Sequence, residues 1–298
     1  MTICLLGAKG LGAKLGKKGT STDVTLYNMK RNGRIFNFVE PALYPDKLSS
    51  MLTATQMSDS AVLCVSPEVM NFQLGETILA LDYLQIKKGI VVLDGVIREQ
   101  LEPLIKGTAV EKYVFVENDA QKIWNEIDKF SYSAEKGGAK VLIDHTFQVK
   151  SVGLVALGFV KSGEVKKYDS LRVYPGGKET MIKSIQIMDE DFDISKAGDR
   201  VGFALKTDAE VKRGDIIASE GAVLATAEVK VDFKKNSYYK NEVLKSPMVS
   251  LGLQYIQGNF DGKTVKFDKP VAYCDGDVAI MCDPGNKMRI VGAGVCRK

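Results

Sequence analysis

Residues 7–14 read GAKGLGAK and follow the short apolar run Ile3-Cys4-Leu5-Leu6, so Gly7 and Gly12 stand at the spacing of the two glycines in G-x-x-x-x-G-K-[ST]. In that motif backbone N–H groups cradle phosphate oxygens, a Lys directly after the second glycine reaches the outer phosphates, and a neighbouring Ser or Thr holds magnesium. Here those two places carry Ala13 and Lys14. The glycines are kept and the side chains that do the chemistry are gone. Gly10, together with Lys9, Lys14, Lys17 and Lys18, still surrounds the turn with N–H groups and positive charge, which suits residual phosphate binding. The same residues equally suit a tight strand-to-helix turn leading into a solvated basic helix over about Ala13 to Lys18.

A second constellation lies in residues 230–245, KVDFKKNSYYKNEVLK, where Lys230, Lys234, Lys235, Lys240 and Lys245 interleave with Phe233, Tyr238 and Tyr239. Lysines among aromatics suit phosphate contacts and stacking on bases or sugars. A strand running into a loop with solvated lysines produces the same pattern. His145, the single histidine, has no Cys or Asp/Glu cluster around it and reads as filling a barrel strand, with no Ser or Cys nucleophile to pair with it. No catalytic residue and no metal-ligand set is assigned. Five cysteines, Cys4, Cys64, Cys274, Cys282 and Cys296, include no C-x-x-C pair, which argues against a disulfide framework or structural zinc and for a reducing cytoplasm. The net charge of +4 lies wholly beyond residue 137, compatible with a polyanion partner and equally with plain surface solvation.

These residues must be positioned by two kinds of structure. Up to about residue 130, strand candidates at 2–6, 24–30, 34–39, 61–66, 90–94 and 113–117 alternate in their later part with helical patterns at 46–57, 73–86 and 119–130. Such alternation implies right-handed crossovers and a largely parallel sheet, with Asn32-Gly33 marking an antiparallel hairpin. Small and polar residues at Ser133-Ala134-Glu135-Lys136-Gly137-Gly138 read as a linker. Beyond it the helical period vanishes, and short strands recur between turn signals such as Pro175-Gly176-Gly177, Arg213-Gly214-Asp215 and Asp275-Gly276. A break near Glu220-Gly221 divides this part in two. The expected segments are 1–134, 138–220 and 221–298: a multidomain α/β plus all-β chain with two antiparallel β-barrels. No apolar run is long enough to span a membrane and the N-terminus lacks a secretory layout.

Within the second segment, SVGLVALGFVKSGEVKKYDSLRVYPGG (151–177), KSIQIMDEDFDISKAGDRVGFALK (183–206) and EVKRGDIIAS (210–219) resemble the second domain of translational GTPases of the elongation factor Tu/SelB family, with archaeal SelB-like proteins nearest. The C-terminal MRIVGAGVCRK (288–298) is similar to the last strand of that family's third domain. The resemblance implies a G-domain-like first segment, and its loops can be compared one by one. The stretch Asp-x-x-Gly-His falls on Glu40-Pro41-Ala42-Leu43-Tyr44, so Leu43 replaces the glycine that meets the γ-phosphate and Tyr44 the water-orienting His, while Glu40 is left to carry charge to a metal. The guanine-reading Asn-Lys-x-Asp falls on Asp94-Gly95-Val96-Ile97, with apolar Ile97 in place of the terminal carboxylate. Each unmet buried donor costs about 1–3 kcal/mol, so several losses together remove tight guanine recognition. The expectation is a pseudo-GTPase that requires no cofactor, with GTP or GDP binding weakly if at all.

The resemblance also implies that the second domain holds the aminoacyl end of a charged tRNA and that the third packs along its stems. The family's pocket turn falls on Gly198-Asp199-Arg200-Val201-Gly202, and the Arg200 guanidinium, with five donors in a fixed fork, suits a 3′-terminal nucleotide or a polar amino acid. Pairing of Arg200 with Asp199 or Glu190 on the surface is the other reading. Asp199, Arg200, Lys234, Lys235, Tyr238, Tyr239 and Lys240 are thus the aminoacyl-tRNA candidates, and Gly7, Lys9, Gly10, Gly12, Lys14 and Glu40 the nucleotide remnant. Aminoacyl-tRNA is the expected partner and the ribosome a further one; DNA and membranes are not.

Overall fold

The computed structural model describes residues 1–132 and 137–298, so most of the expected linker, and the end of the first expected segment, lie outside the described residues. The chain divides into two units. One holds Met1–Tyr132 with Asn236–Lys240 and Asp283–Val291; the other holds the described residues from 137 to Lys235, with Asn241–Cys282 and Gly292–Lys298.

In the first unit seven strands, β1 (Thr2–Leu6), β2 (Lys17–Ser21), β3 (Val24–Arg31), β4 (Arg34–Pro41), β5 (Ser60–Val65), β6 (Gly89–Leu93) and β7 (Val114–Glu117), form one sheet in the order β2-β3-β4-β1-β5-β6-β7. Strand β1 pairs in parallel with β4 and β5, and β5-β6-β7 continue in parallel. The central strands are buried along their whole length, as continuous apolar runs in a two-sided parallel sheet require. At the antiparallel edge, Asn32 and Gly33 turn β3 into β4 with φ of 50° and 71°, the two-residue hairpin their sequence signals. Helices α1 (Leu11–Leu15), α2 (Leu48–Met57), α3 (Phe72–Tyr83), α4 (Arg98–Ile105) and α5 (Ala120–Ile127) complete the unit. Trp124 of α5 stands edge-on to Phe36 and Phe38 of β4, with centroids 5.5 and 5.7 Å away.

Two local expectations change. The helix placed at 13–18 begins two residues earlier and ends three earlier, because Leu11 and Leu15 are the residues that bury a face; Lys17 and Lys18 instead pair with Asn28 and Tyr27 as strand β2. Helix α4 went unread: only Leu101 and Ile105 bury an apolar stripe, Pro103 lies inside, and Gln100 Oε1 accepts the Ile97 N–H at 3.1 Å to start it.

The second unit begins with β8 (Lys140–Val149), β9 (Gly153–Ser162), β10 (Glu164–Lys166), β11 (Ser170–Tyr174), β12 (Lys178–Ile187), β13 (Glu190–Phe192), β14 (Ile194–Lys196), β15 (Arg200–Lys206) and β16 (Ile216–Ala218). Antiparallel pairing runs β8-β9-β15-β12-β11-β16 and returns to β8, which closes a six-stranded barrel. Closure removes the exposed edges that an open sheet would carry. The remaining strands, β17 (Leu224–Lys235), β18 (Met248–Leu251), β19 (Gln254–Gln257), β20 (Asn259–Phe260), β21 (Thr264–Tyr273), β22 (Val278–Cys282) and β23 (Ile290–Arg297), are ordered β19-β18-β22-β23-β17-β21-β20. This is a half-barrel, so the two all-β modules expected from the sequence are one closed barrel and one half-barrel. Within the second unit, Lys140 of β8 places Nζ 3.0 Å from both oxygens of Asp277.

Candidate functional site

The glycine-rich loop connects β1 to α1. Gly7 and Gly10 have φ of 84° and 83°, backbone that a side chain disfavours, and a Cβ on Gly7 would lie 1.9 Å from the Cys64 carbonyl oxygen. The loop therefore keeps the backbone form that glycines allow. Two of its N–H groups, however, are occupied. Glu40, at the end of β4, is buried at 7% exposure and turns its carboxylate into the loop. Oε1 accepts the Gly10 N–H and Oε2 accepts the Gly12 N–H, the latter at 3.2 Å. The metal-facing role expected for Glu40 is not what its geometry serves: both oxygens are directed to backbone donors of the turn.

Tyr27 of β3 closes the other side. Its ring lies so close to Gly12 that a Cβ there would meet ring carbons at 2.2 and 2.3 Å. Burial, then the neighbouring Glu40 charge, holds the Tyr27 hydroxyl above its ordinary pKa. Below the loop, burial and then Asp94 push the Cys64 thiol up to about 12. Lys9 and Lys14 are exposed. Beside the loop a cavity of about 170 Å³ is lined by Gly7, Lys9, Glu40, Tyr44 and Leu74 among others, below the roughly 300–1,000 Å³ of most ligand pockets.

Tyr44, at the place of the water-orienting His, is used elsewhere. Its hydroxyl reaches the Gln73 carbonyl at 2.9 Å and Glu76 Oε2 at 3.1 Å, and burial, then Glu76, raises its pKa. Glu76 is fully buried in α3 and receives Arg289, with Nε to Oε1 at 3.0 Å and Nη2 to Oε2 at 2.6 Å. Arg289 also donates Nη1 to the Pro45 carbonyl at 2.6 Å. Tyr44 is thus a member of a structural network in the first unit. Ile97, at the guanine-reading position, is 60% exposed.

In the barrel, Arg200 opens β15 and does not pair on the surface with Asp199 or Glu190. Its Nη2 lies 3.2 Å from Oδ2 of Asp144 on β8, and its guanidinium stacks over Phe159 at 5.6 Å. Asp199 instead caps its own turn, accepting the Lys196 N–H at 2.8 Å. Register explains why Asp144 is there. Ile143 pairs with Gly158 and His145 with Leu157, so Asp144 is the extra residue of a β-bulge. A bulge re-aims one side chain out of the alternation. Asp144 consequently turns inward, at 8% exposure, while His145 is exposed beside Phe147, with ring centroids 5.9 Å apart. His145 therefore sits on a barrel strand without filling the barrel.

The Arg200–Asp144 pair is incompletely satisfied. Arg200 Nε and Asp144 Oδ1 are both buried with no hydrogen-bond partner among the described residues. An unmet buried polar atom costs about 1–3 kcal/mol, and such atoms are few in folded proteins. Asp144 was missed in the sequence because a bulge is a property of strand pairing.

The aromatic and basic segment divides. Lys234 and Lys235 are exposed at the end of β17 in the second unit, whereas 236–240 belongs to the first. There Tyr238 is 64% exposed and Lys240 is exposed, donating Nζ to the Ser237 carbonyl at 3.0 Å. Tyr239 is no stacking platform: it is 2% exposed and its hydroxyl donates to Asp283 Oδ2 at 2.8 Å. Among the described residues no cluster of metal-ligating side chains occurs and no helix is long and apolar enough to cross a membrane.

Comparison with known proteins places this architecture. The family model for elongation factor Tu domain 2 matches residues 153–218, the greater part of the closed barrel. The uncharacterized protein MJ0325 of Methanocaldococcus jannaschii is 37% identical over 99% of this chain and 98% of its own length. The selenocysteine-specific elongation factor of the same organism is 27% identical over 71% of this chain, which spans only half of it. The translation elongation factor SelB of Methanococcus maripaludis, solved with the GTP analogue GppNHp, superposes with a TM-score of 0.83 at 19% identity, covering 100% of this chain and 78% of that one. With a barrel of the elongation factor Tu domain 2 type and a full-length relative, this chain belongs to one family with MJ0325, and that family has the elongation factor Tu/SelB-like fold.

Proposed function

We propose that this protein is a cytoplasmic paralogue of the SelB-type factors that binds aminoacyl-tRNA through its β-modules while its N-terminal domain is a pseudo-GTPase. Module limits near 1–134, 138–220 and 221–298 go with this reading. The observation that carries it is the Arg200–Asp144 pair, where a buried guanidinium donor and a buried carboxylate acceptor both lack a partner. Groups left this way in a family that carries charged tRNA suit a polar ligand such as the aminoacyl end, with Arg200 Nε free to donate and Asp144 Oδ1 free to accept. Exposed Lys234, Lys235, Tyr238 and Lys240 suit phosphate and base contacts, each within its own unit.

The pseudo-GTPase part is supported by four departures in the first unit: Ala13 and Lys14 after the second glycine, Tyr44 engaged with Glu76, Ile97 exposed where a carboxylate would read guanine, and Glu40 on the loop N–H groups. No enzymatic activity is assigned, and GTP or GDP bind weakly at most.

Filter retention of aminoacylated and deacylated total tRNA, with the wild type beside Arg200→Ala and Asp144→Asn, tests the reading. Charged tRNA is retained in preference, and both variants lose at least about tenfold of that preference, equivalent to about 1.4 kcal/mol. Equal retention of both tRNA forms, or none at low salt, overturns it. Co-sedimentation with ribosomes in that case identifies a ribosome-docking module instead.

A further inference from the structure

Resting on the pseudo-GTPase reading, we propose that Glu40 is the resident ligand of the glycine-rich loop: an intramolecular carboxylate that stands in for phosphate and holds the loop shut. Three observations meet here. The two N–H groups of Gly10 and Gly12 converge on one carboxylate, each on a different oxygen, which is the way backbone amides of such a loop hold an oxyanion. The carboxylate is delivered from a rigid strand, since Glu40 pairs with Thr25 in the β3–β4 hairpin and is itself more than nine-tenths buried. The Tyr27 ring covers Gly12 from the neighbouring strand.

Such an arrangement competes with any incoming anion in two ways. A phosphate would have to displace an acceptor that is tethered and already oriented, so the competitor is present at a high effective concentration. It would also approach a fixed negative charge in a partly buried site, where like charges repel strongly. The cations that attract anions remain: Lys9 and Lys14 are exposed at the loop. Removing the Glu40 carboxylate therefore does more than delete a contact. It frees two N–H donors and eliminates the repelling charge, and the loop becomes an acceptor of phosphate oxygens.

The experiment uses the full chain, wild type beside Glu40→Ala and Glu40→Gln, with pyrophosphate as the probe in calorimetry. Alkylation rates of Cys64 and Cys4 by iodoacetamide provide a second readout that needs no ligand. Cys64 lies under the loop, close enough for Lys14 and Glu40 to act on its thiol, whereas Cys4 on β1 is fully buried in the same sheet and reports unfolding of the whole unit. Expected is pyrophosphate binding at least about tenfold tighter in Glu40→Ala than in the wild type, an intermediate gain in Glu40→Gln, and faster labelling of Cys64 with Cys4 unchanged. Pyrophosphate binding that is equal in all three proteins, with Cys64 as protected as Cys4, overturns the proposal. If Cys4 of Glu40→Ala labels as fast as Cys64 and faster than in the wild type, that variant has unfolded, and Glu40→Gln alone decides by the same criteria. Failure here leaves the pseudo-GTPase reading standing, because that reading falls only if the wild type binds GTP tightly and in preference to ATP.

Discussion

The loop after β1 and the Arg200–Asp144 pair are both places where ligand chemistry is expected, and they are finished in opposite ways. At the loop two of the backbone donors a ligand would use are already met by Glu40, the aromatic ring of Tyr27 fills the adjacent space, and the tyrosine at the water-orienting position is bonded into α3. In the barrel a bulge turns a carboxylate inward beside a guanidinium, and one polar atom of each is left without a partner. A fold can retire one site by satisfying its polar groups internally. It keeps another ready by leaving such groups unmet, at a stability cost of about 1–3 kcal/mol per atom. The contrast makes a general prediction: substitutions in the first region cost stability, and substitutions in the second cost binding.

The largest effect belongs to the first region. Arg289→Ala strands Glu76, whose side chain is fully buried, without its bidentate partner. Removing one member of a buried pair costs about 3–5 kcal/mol. Urea unfolding should register that loss, and replacing both residues together with apolar ones (Glu76→Leu with Arg289→Met) should recover most of it. A loss under about 1 kcal/mol in Arg289→Ala would mean that the pair is solvated and the first region less finished than it looks.

Glu40→Ala is next, with about 1–3 kcal/mol expected from the two charge-assisted hydrogen bonds it removes. The opposite sign is expected in the barrel. Asp144→Leu with Arg200→Met removes two unmet polar atoms and one partly desolvated ion pair, so thermal stability should stay within about 1 kcal/mol of wild type or rise, while retention of charged tRNA falls. If that double variant is destabilised by several kcal/mol, the pair is a structural element and the comparison breaks at its second half.

How much of this was legible differs between backbone and side chains. The central strands of the first sheet are apolar after their first residue, and the Asn32-Gly33 turn declares its hairpin, so the α/β layout could be read from local pattern. Strand β2 could not, because KKGTS has neither apolar residues nor alternation and is a strand only through its partner β3. Helix α4 was hidden by Pro103 and by a stripe of just two apolar residues. At the sites, residue types were readable and their partners were not. Glu40 was visible as a displaced motif acid, but its targets are backbone N–H groups 28 and 30 residues away in sequence. Asp144 escaped notice because only the register slip between Ile143 and His145 turns it inward. Tyr239 sits beside exposed Tyr238 in an identical-looking context, and its burial against Asp283 depends on a segment more than forty residues later.

That pair of tyrosines supplies the finest test. Tyr239→Phe removes a hydroxyl that donates to Asp283 and should cost about 1 kcal/mol of stability without changing tRNA retention. Tyr238→Ala and Lys240→Ala alter exposed side chains and should leave stability within about 0.5 kcal/mol. If the segment touches RNA, Tyr238→Ala weakens retention by about 1–3 kcal/mol through lost stacking. Lys240→Ala weakens it uniformly across tRNAs and lowers the salt dependence of log K by about one. An unchanged salt slope in Lys240→Ala, with unchanged retention in Tyr238→Ala, would confine RNA recognition to the barrel side of the comparison, because an exposed cation that releases no counterion is not in contact with phosphate.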